Sequence, residues 1–277
     1  MDHQYLHSIR EFELHRVLRD FPSTSRNGRL VRILDIGAGT GYQAALIEQL
    51  GYEVIAIDVP GSAYVKERVH PIIEYDGHTL PFDTGSIDVV FSSNVLEHVE
   101  PIETLLCEIS RVLSPEGKSI HILPTSAWRM WTFLSHFVWV GKRVFAILLK
   151  GAFGDRIACE KAVISTYSKT LHLMVCQVWP RRHGERGNAL NEIRLFSADS
   201  WRRTFMATGF ELKNDYSIGL FYTGNMIFAD WLPLARRISM AKWLGSASHA
   251  YVLERKTPDK NETRKRNKWP MTRGHTP

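Results

Sequence analysis

Gly37-Ala38-Gly39-Thr40-Gly41 follows the apolar run Val31–Ile36, and Asp58 closes a second such run, Val54–Asp58. An apolar, β-branched stretch that ends in glycines reads as a buried parallel strand handing its loop to the carboxyl edge of an open α/β sheet, where such folds bind ligands. Gly37, Gly39 and Gly41 lack a Cβ and tolerate positive φ, so the backbone can approach a ligand closely. The dinucleotide fingerprint needs its third glycine at the position of Tyr42; here it comes one residue early, and an acid, Asp35, precedes the first glycine. That carboxylate disfavours a pyrophosphate and suits a ligand with a cationic end. Proton transfer has three candidates: His98 first, His183 second and Glu97 third, since a hydroxyl nucleophile needs a base near neutral pKa.

Further motifs follow in order: Ile72–Phe82 with Asp76, Gly77 and His78 at its tip, Ile87–Val99 with Ser93 and Asn94, and Leu105–Gly117. From Val31 to about Pro124 the chain resembles the class I S-adenosylmethionine-dependent methyltransferases. The resemblance implies S-adenosylmethionine as cofactor, with Asp35, Gly37, Ala38, Gly39 and Gly41 in its loop and Asp58 on the ribose hydroxyls. Asp76 and Gly77 are then expected at the adenine, and Ser93 and Asn94 at the methionine end. Glu116 stands where the family more often has glycine, which bears on one turn only.

Strands are expected at Val31–Ile36, Glu53–Asp58, Pro71–Tyr75, Ile87–Ser92 and Lys118–Leu123. They alternate with helices at Tyr42–Leu50, Ser62–Val69 and Ile102–Leu113, which predicts an α/β, doubly wound, mostly parallel Rossmann-like sheet. An amphipathic helix over Tyr5–Asp20 leads into a loop through Gly28, and Ser197–Thr208 reads as a helix stopped by Gly209. Phe210–Tyr216 and His249–Leu253 are the closing strands; with them the resemblance implies seven strands in all. The expected organisation is 1–29 as N-terminal helix and loop, 30–124 as the cofactor-binding core, 125–193 as a substrate-choosing lid, and 194–254 as completion of the core with a second lid segment at 217–248. Residues 255–277 form a basic, solvated tail.

With 44% hydrophobic residues the chain can bury one α/β core with insertions. Cys107, Cys159 and Cys176 are scattered, with no CxxC pair and no His/Cys spacing for zinc, so a reducing compartment and no structural metal are expected. Charge interrupts every apolar stretch of the N-terminus, which excludes a signal peptide and implies a cytoplasmic protein. The formal charge of +6 is uneven: eight Lys or Arg against Asp259 and Glu262 make Arg255–Pro277 +6, and ten basic against three acidic residues make Ser126–Gly187 +7. The remainder is therefore −7.

Within the expected lid, Trp128–Lys150 is rich in tryptophan and phenylalanine, and Arg129, His136, Arg143 and Lys150 recur every seven residues. A helix places those four on one side, as suits an anionic membrane surface as well as a packed lid facing water. The loop Trp179–Glu192 adds His183, Glu185, Arg186, Asn188 and Asn191, groups that suit a glycan or phosphate. The sequence thus predicts O-methylation of a lipid-linked or sugar-containing acceptor in cell-envelope biosynthesis, at the inner face of a membrane. A soluble small-molecule or RNA methyltransferase and a non-catalytic cofactor-binding regulator are the alternatives; nucleic acid is the less favoured partner.

Overall fold

A computed structural model of the chain describes residues 3–153, 179–223 and 232–256. Its elements in chain order are α1 (His3–Val17), β1 (Ser25–Arg26), β2 (Arg29–Leu30), β3 (Arg32–Ile36), α2 (Tyr42–Gln49), β4 (Glu53–Asp58), β5 (Ile72–Glu74), β6 (Ile87–Ser93), α3 (Ile102–Val112), β7 (Leu113–Pro124) and α4 (Ser126–Phe153). They continue with α5 (Asn191–Leu195), α6 (Ala198–Ala207), β8 (Phe210–Ser217), α7 (Leu234–Leu244) and β9 (Ser248–Arg255).

Seven strands form one sheet in the order β5-β4-β3-β6-β7-β9-β8. The first five are parallel, and β9 is antiparallel to both β7 and β8. The expected doubly wound sheet is therefore present. Successive strand residues face opposite sides, so Leu34, Ile36, Val90 and Leu123 join one buried cluster, and Ile33, Val89, Phe91, Ile120 and Ile122 join the other. With both faces covered, loops at the carboxyl edge are left to hold ligands.

Four local expectations change. The stretch Ser62–Val69 forms only a 3-10 turn at Val65–Glu67, because the Val69 amide donates to the Thr40 carbonyl (2.8 Å) and ties the segment across the glycine loop. The loop through Gly28 contains the β1–β2 hairpin, turned by Asn27 and Gly28 at positive φ. There Arg26 forms an ion pair with Glu116, which gives the departure at Glu116 a local partner. The polar stretch before Leu195 closes as α5. Strand β7 begins at Leu113, five residues before the expected Lys118, since Leu113 pairs with Ile87.

Helix α4 runs through the first insertion, as expected, but its cations do not make one solvent-facing stripe. Arg129 is buried, with its side chain 3% exposed, while Arg143 is exposed and its guanidinium lies 5.0 Å from the Trp139 ring. The reason is a buried partner: Arg129 Nε lies 2.6 Å from Glu192 Oε2 in α5, and its Nη2 donates to the Arg181 carbonyl (2.8 Å). The exposed face of α4 is apolar instead, with Met130, Leu134, Phe137, Val138 and Phe145 at helical spacing along one side. The side chain of Lys150, residues 224–231 of the second insertion and most of the basic tail lie outside the described residues, as do Cys159 and Cys176. No helix among the described residues is long and apolar enough to cross a membrane.

Candidate active site

The loop after β3 is a tight backbone structure. Gly37, Gly39 and Gly41 have φ of 70°, 59° and 76°, and each φ favours glycine. Their surroundings differ. A Cβ on Gly37 would meet Val95 Cγ2 at 2.4 Å and one on Gly41 would meet His70 Cβ at 2.7 Å, whereas one on Gly39 would touch the Tyr64 ring at an ordinary 3.4 Å. Gly37 and Gly41 are thus required by packing inside the protein, and Gly39 by its φ. The amides of Gly37 and Ala38 both donate to the Ile57 carbonyl (2.8 and 3.0 Å), which fixes the loop against β4 and leaves neither amide for a ligand.

This loop, the end of β4, the 75–78 turn and the 94–100 turn enclose a cavity of about 490 Å³. That volume lies in the range of small-molecule and cofactor sites, roughly 300–1,000 Å³. Of the candidate site residues, Gly37, Gly39, Asp58, Asp76, Gly77, Asn94 and His98 line it. Asp58 is buried at the end of β4, its Oδ1 accepting the Val59 amide (2.8 Å). Asp76 Oδ1 accepts the amides of His78 and Thr79 (2.8 and 2.7 Å), and these bonds hold its carboxyl below the ordinary range. Asn94 holds φ 55° while its amide donates to Ile122 in β7, so β6 and β7 together aim the turn.

Asp35, Ala38, Gly41 and Ser93 lie outside the lining. The Asp35 carboxyl is buried, its Oδ2 has no hydrogen-bond partner among the described residues, and burial followed by the Asp58 charge pushes its pKa up to about 8. Asp58, Asp76, Glu100 and Glu185 put four carboxylates on the lining, whose described residues include no lysine or arginine. Val59, which is 41% exposed, and the half-exposed ring of Tyr64 add apolar surface. The position of Val59, directly after Asp58, is a signal the sequence offered; Tyr64 was hidden by the expectation of a helix.

The three proton-transfer candidates meet at one edge of this cavity. His98 Nε2 lies 3.8 Å from Glu97 Oε1, His183 Nε2 lies 4.0 Å from the same oxygen, and the two rings stand edge to face at 4.8 Å. Glu97 and His98 come from the 3-10 turn Leu96–His98, and His183 arrives from the first insertion. The Glu192 carboxylate brings it there, its Oε1 accepting the amides of His183 and Gly184 (2.7 Å each). Next, the Glu185 amide donates to the Glu97 carbonyl (3.1 Å), and a Cβ on Gly184 would sit 2.6 Å from that carbonyl oxygen. Trp128 packs edge to face on His183 at 4.6 Å. Burial pushes Glu97 up to about 8. Desolvation holds His98 below its ordinary value and, with the His98 and Arg129 charges, draws His183 down to about 4.

Residues 34–121 match the sequence pattern of a family described as a methyltransferase domain. The biotin biosynthesis bifunctional protein BioHC of Cellvibrio japonicus is 38% identical over 93 residues, 32% of this chain and 18% of that protein. An uncharacterized methyltransferase of Mycolicibacterium gilvum is 30% identical over 125 residues, 43% of this chain and 44% of the relative. The chain thus spans less than half the length of these curated relatives. Among solved structures, an S-adenosylmethionine-dependent methyltransferase from Mesorhizobium loti superposes with a TM-score of 0.51 at 15% identity, covering 88% of this chain and 98% of its own. A putative methyltransferase in complex with the Trm112 activator of Haloferax volcanii gives 0.51 at 14% identity, covering 94% and 92%. Those two likenesses speak for the fold, and the fold agrees with the motifs. Residues 34–121 therefore match a methyltransferase-domain family, and they sit in a chain with the fold of the S-adenosylmethionine-dependent methyltransferases.

Proposed function

We propose that the protein methylates an oxygen of a lipid-linked or sugar-containing acceptor in cell-envelope biosynthesis, working at the cytoplasmic face of a membrane. The observation that carries the transfer reaction is the junction of two chemistries in one place. A cavity lined by four carboxylates, with no lysine or arginine among its described lining residues, suits a cationic sulfonium cofactor, and it opens onto the Glu97, His98 and His183 cluster. The same lining disfavours phosphate-rich RNA at the cavity mouth.

In this reading Asp58 takes the ribose hydroxyls, Val59 and Tyr64 cover the adenine, and Asp76 and Gly77 flank it; Asn94 faces the methionine end. S-adenosylmethionine supplies a methyl carbon already activated by the positive sulfur. The protein's part is to orient the acceptor oxygen in line with that carbon and to exclude water. The acceptor hydroxyl faces the His98 and His183 edge, where its proton is lost as the new C–O bond forms and the C–S bond breaks. The segment 125–193 is the lid; its Trp128 and, from the core beside it, Phe196 give His183 apolar surroundings.

The membrane part is supported by the exposed apolar face of α4, flanked by exposed Lys142, and by Trp243 of α7, which is 90% exposed. Such a face is the pattern of a helix lying in the headgroup region. Calorimetry with S-adenosylmethionine tests the cofactor. Sedimentation with anionic phospholipid vesicles tests the surface: the protein should pellet with them, and Leu134→Glu with Val138→Glu should remain in the supernatant with cofactor binding intact. If that variant pellets as before while removal of 257–277 alone abolishes pelleting, the tail is the membrane contact and α4 is a packed lid.

A further inference from the structure

We infer that His98 Nε2, His183 Nε2 and Glu97 Oε1 form a site for a divalent transition-metal cation of the zinc class at the acceptor edge of the cavity. This deepens, and rests on, the methyl-transfer reading, because the cation would ligate the acceptor oxygen.

The ligand atoms of the three residues lie within 4.8 Å of one another. At 3.8 and 4.0 Å from Glu97 Oε1, the two imidazole nitrogens are too far for a hydrogen bond, so the cluster is not closed by its own contacts. A cation with ligand bonds of about 2.0–2.2 Å fits between groups roughly 3–3.5 Å apart. The rings, 41% and 38% exposed, have room to move the donors from separations of up to 4.8 Å to that spacing, a shift of about 1 Å or a little more. Two histidines and one carboxylate with an open fourth position is the donor set of a catalytic zinc site.

The second observation is Glu97 itself. Its side chain is fully buried, and neither carboxyl oxygen is hydrogen-bonded to another described residue. A buried carboxyl without a partner costs free energy that a ligand bond would offset. Nearby guanidiniums do not oppose a cation, because each has its own acid: Arg10 is paired with Glu13, and Arg129 with Glu192. The fourth position opens to the cavity, since His98 is part of its lining. A hydroxyl ligated there is acidified, loses its proton to water, and presents an oxygen lone pair to the methyl carbon.

The test uses the full-length protein, stripped with a chelator and titrated with Zn²⁺ by calorimetry, with Co²⁺ as a visible-absorption probe of coordination. The expected result is a site for one equivalent that His98→Ala and His183→Ala each weaken at least tenfold, with a cobalt spectrum in the wild type that both variants lose. Glu97→Gln keeps the shape of the buried side chain and should weaken zinc similarly, with circular dichroism as the check on folding. Absence of zinc binding and of a cobalt spectrum in the wild type overturns the inference. So does binding that the two histidine variants leave unchanged. Titration with S-adenosylmethionine separates this from the underlying reading: cofactor binding without a zinc site removes only the cation, whereas zinc binding without cofactor binding removes the methyl-transfer reading.

Discussion

Around the glycine loop, the cavity is built by neighbours in sequence: Gly39 is set by its own φ, Asp58 is the last residue of β4, and Asp76 is fixed by the two amides that follow it. At the opposite edge, His183 reaches Glu97 only because Glu192 in α5 holds its amide and Arg129 in α4 neutralises Glu192. The first edge rests on backbone conformation and the second on a buried ion pair joining separated segments. The first should therefore tolerate loss of distant contacts, and the second should fail when one charge is removed.

The severest test of that contrast is Arg129→Ala, which leaves Glu192 buried without its partner. Losing one member of a buried pair costs about 3–5 kcal/mol. We expect the cost to fall on the lid: limited proteolysis near 179–195 should quicken and turnover should collapse, while S-adenosylmethionine still binds. Equal loss of cofactor affinity would mean that the two edges fold as one unit.

The sheet beneath both edges carries a pH-dependent element. His121 in β7 is buried, with Ser92 of β6 and Ser119 at its two ring nitrogens (2.7 and 2.6 Å), Phe205 of α6 stacked on it and Tyr251 of β9 opposite. Burial draws its pKa down to about 3. A folded pKa below the unfolded one gives stability that is complete above pH 6.5 and is lost as pH falls toward the folded value. Between pH 6.5 and pH 4 this imidazole alone should remove about 3 kcal/mol. Denaturant melts of wild type and His121→Gln check it, and the variant should have a flatter acid limb.

Gly184→Ala pushes a methyl group against the Glu97 carbonyl. Displacing a positioning loop by about 1 Å costs on the order of 100-fold in turnover. Steady-state kinetics should show that loss with cofactor affinity unchanged.

The cofactor edge has the mirror-image variants. Asp58→Ala should weaken S-adenosylmethionine and its demethylated product by about 1.5–3 kcal/mol, the range for a hydrogen bond to a charged group. Unchanged calorimetry would remove Asp58 from the ribose. Gly39→Ala is the mildest, since it pays only the left-handed backbone term of roughly 1–2 kcal/mol, and should appear as a modest loss of cofactor affinity with the lid intact.

The strands β3, β4 and β6 were legible to within a residue or so because a buried parallel strand must be apolar throughout and must stop at its ligand loop. Their order along the chain then implied the sheet. Placement in the cavity was legible where it follows from position at a strand's end, as at Asp58, the last residue of β4, and Asn94, the residue after β6. The burial of Asp35 was not legible, because a residue's place beside a glycine loop does not tell which way its carboxyl faces. Arg129 was misread because periodicity assigns a helical face without naming what packs on it.

Order in the chain determined the sheet and the glycine loop, because apolar strand runs and positive φ are local properties of a few residues, and the resemblance of those motifs to a known family implied the class of cofactor. Only the tertiary structure decided that Glu97, His98 and His183 share one edge, that Arg129 serves a buried acid, and that the exposed face of α4 is apolar. Those outcomes depend on contacts between segments far apart in sequence, where the free energy of burial and ion pairing is settled by what the fold brings alongside.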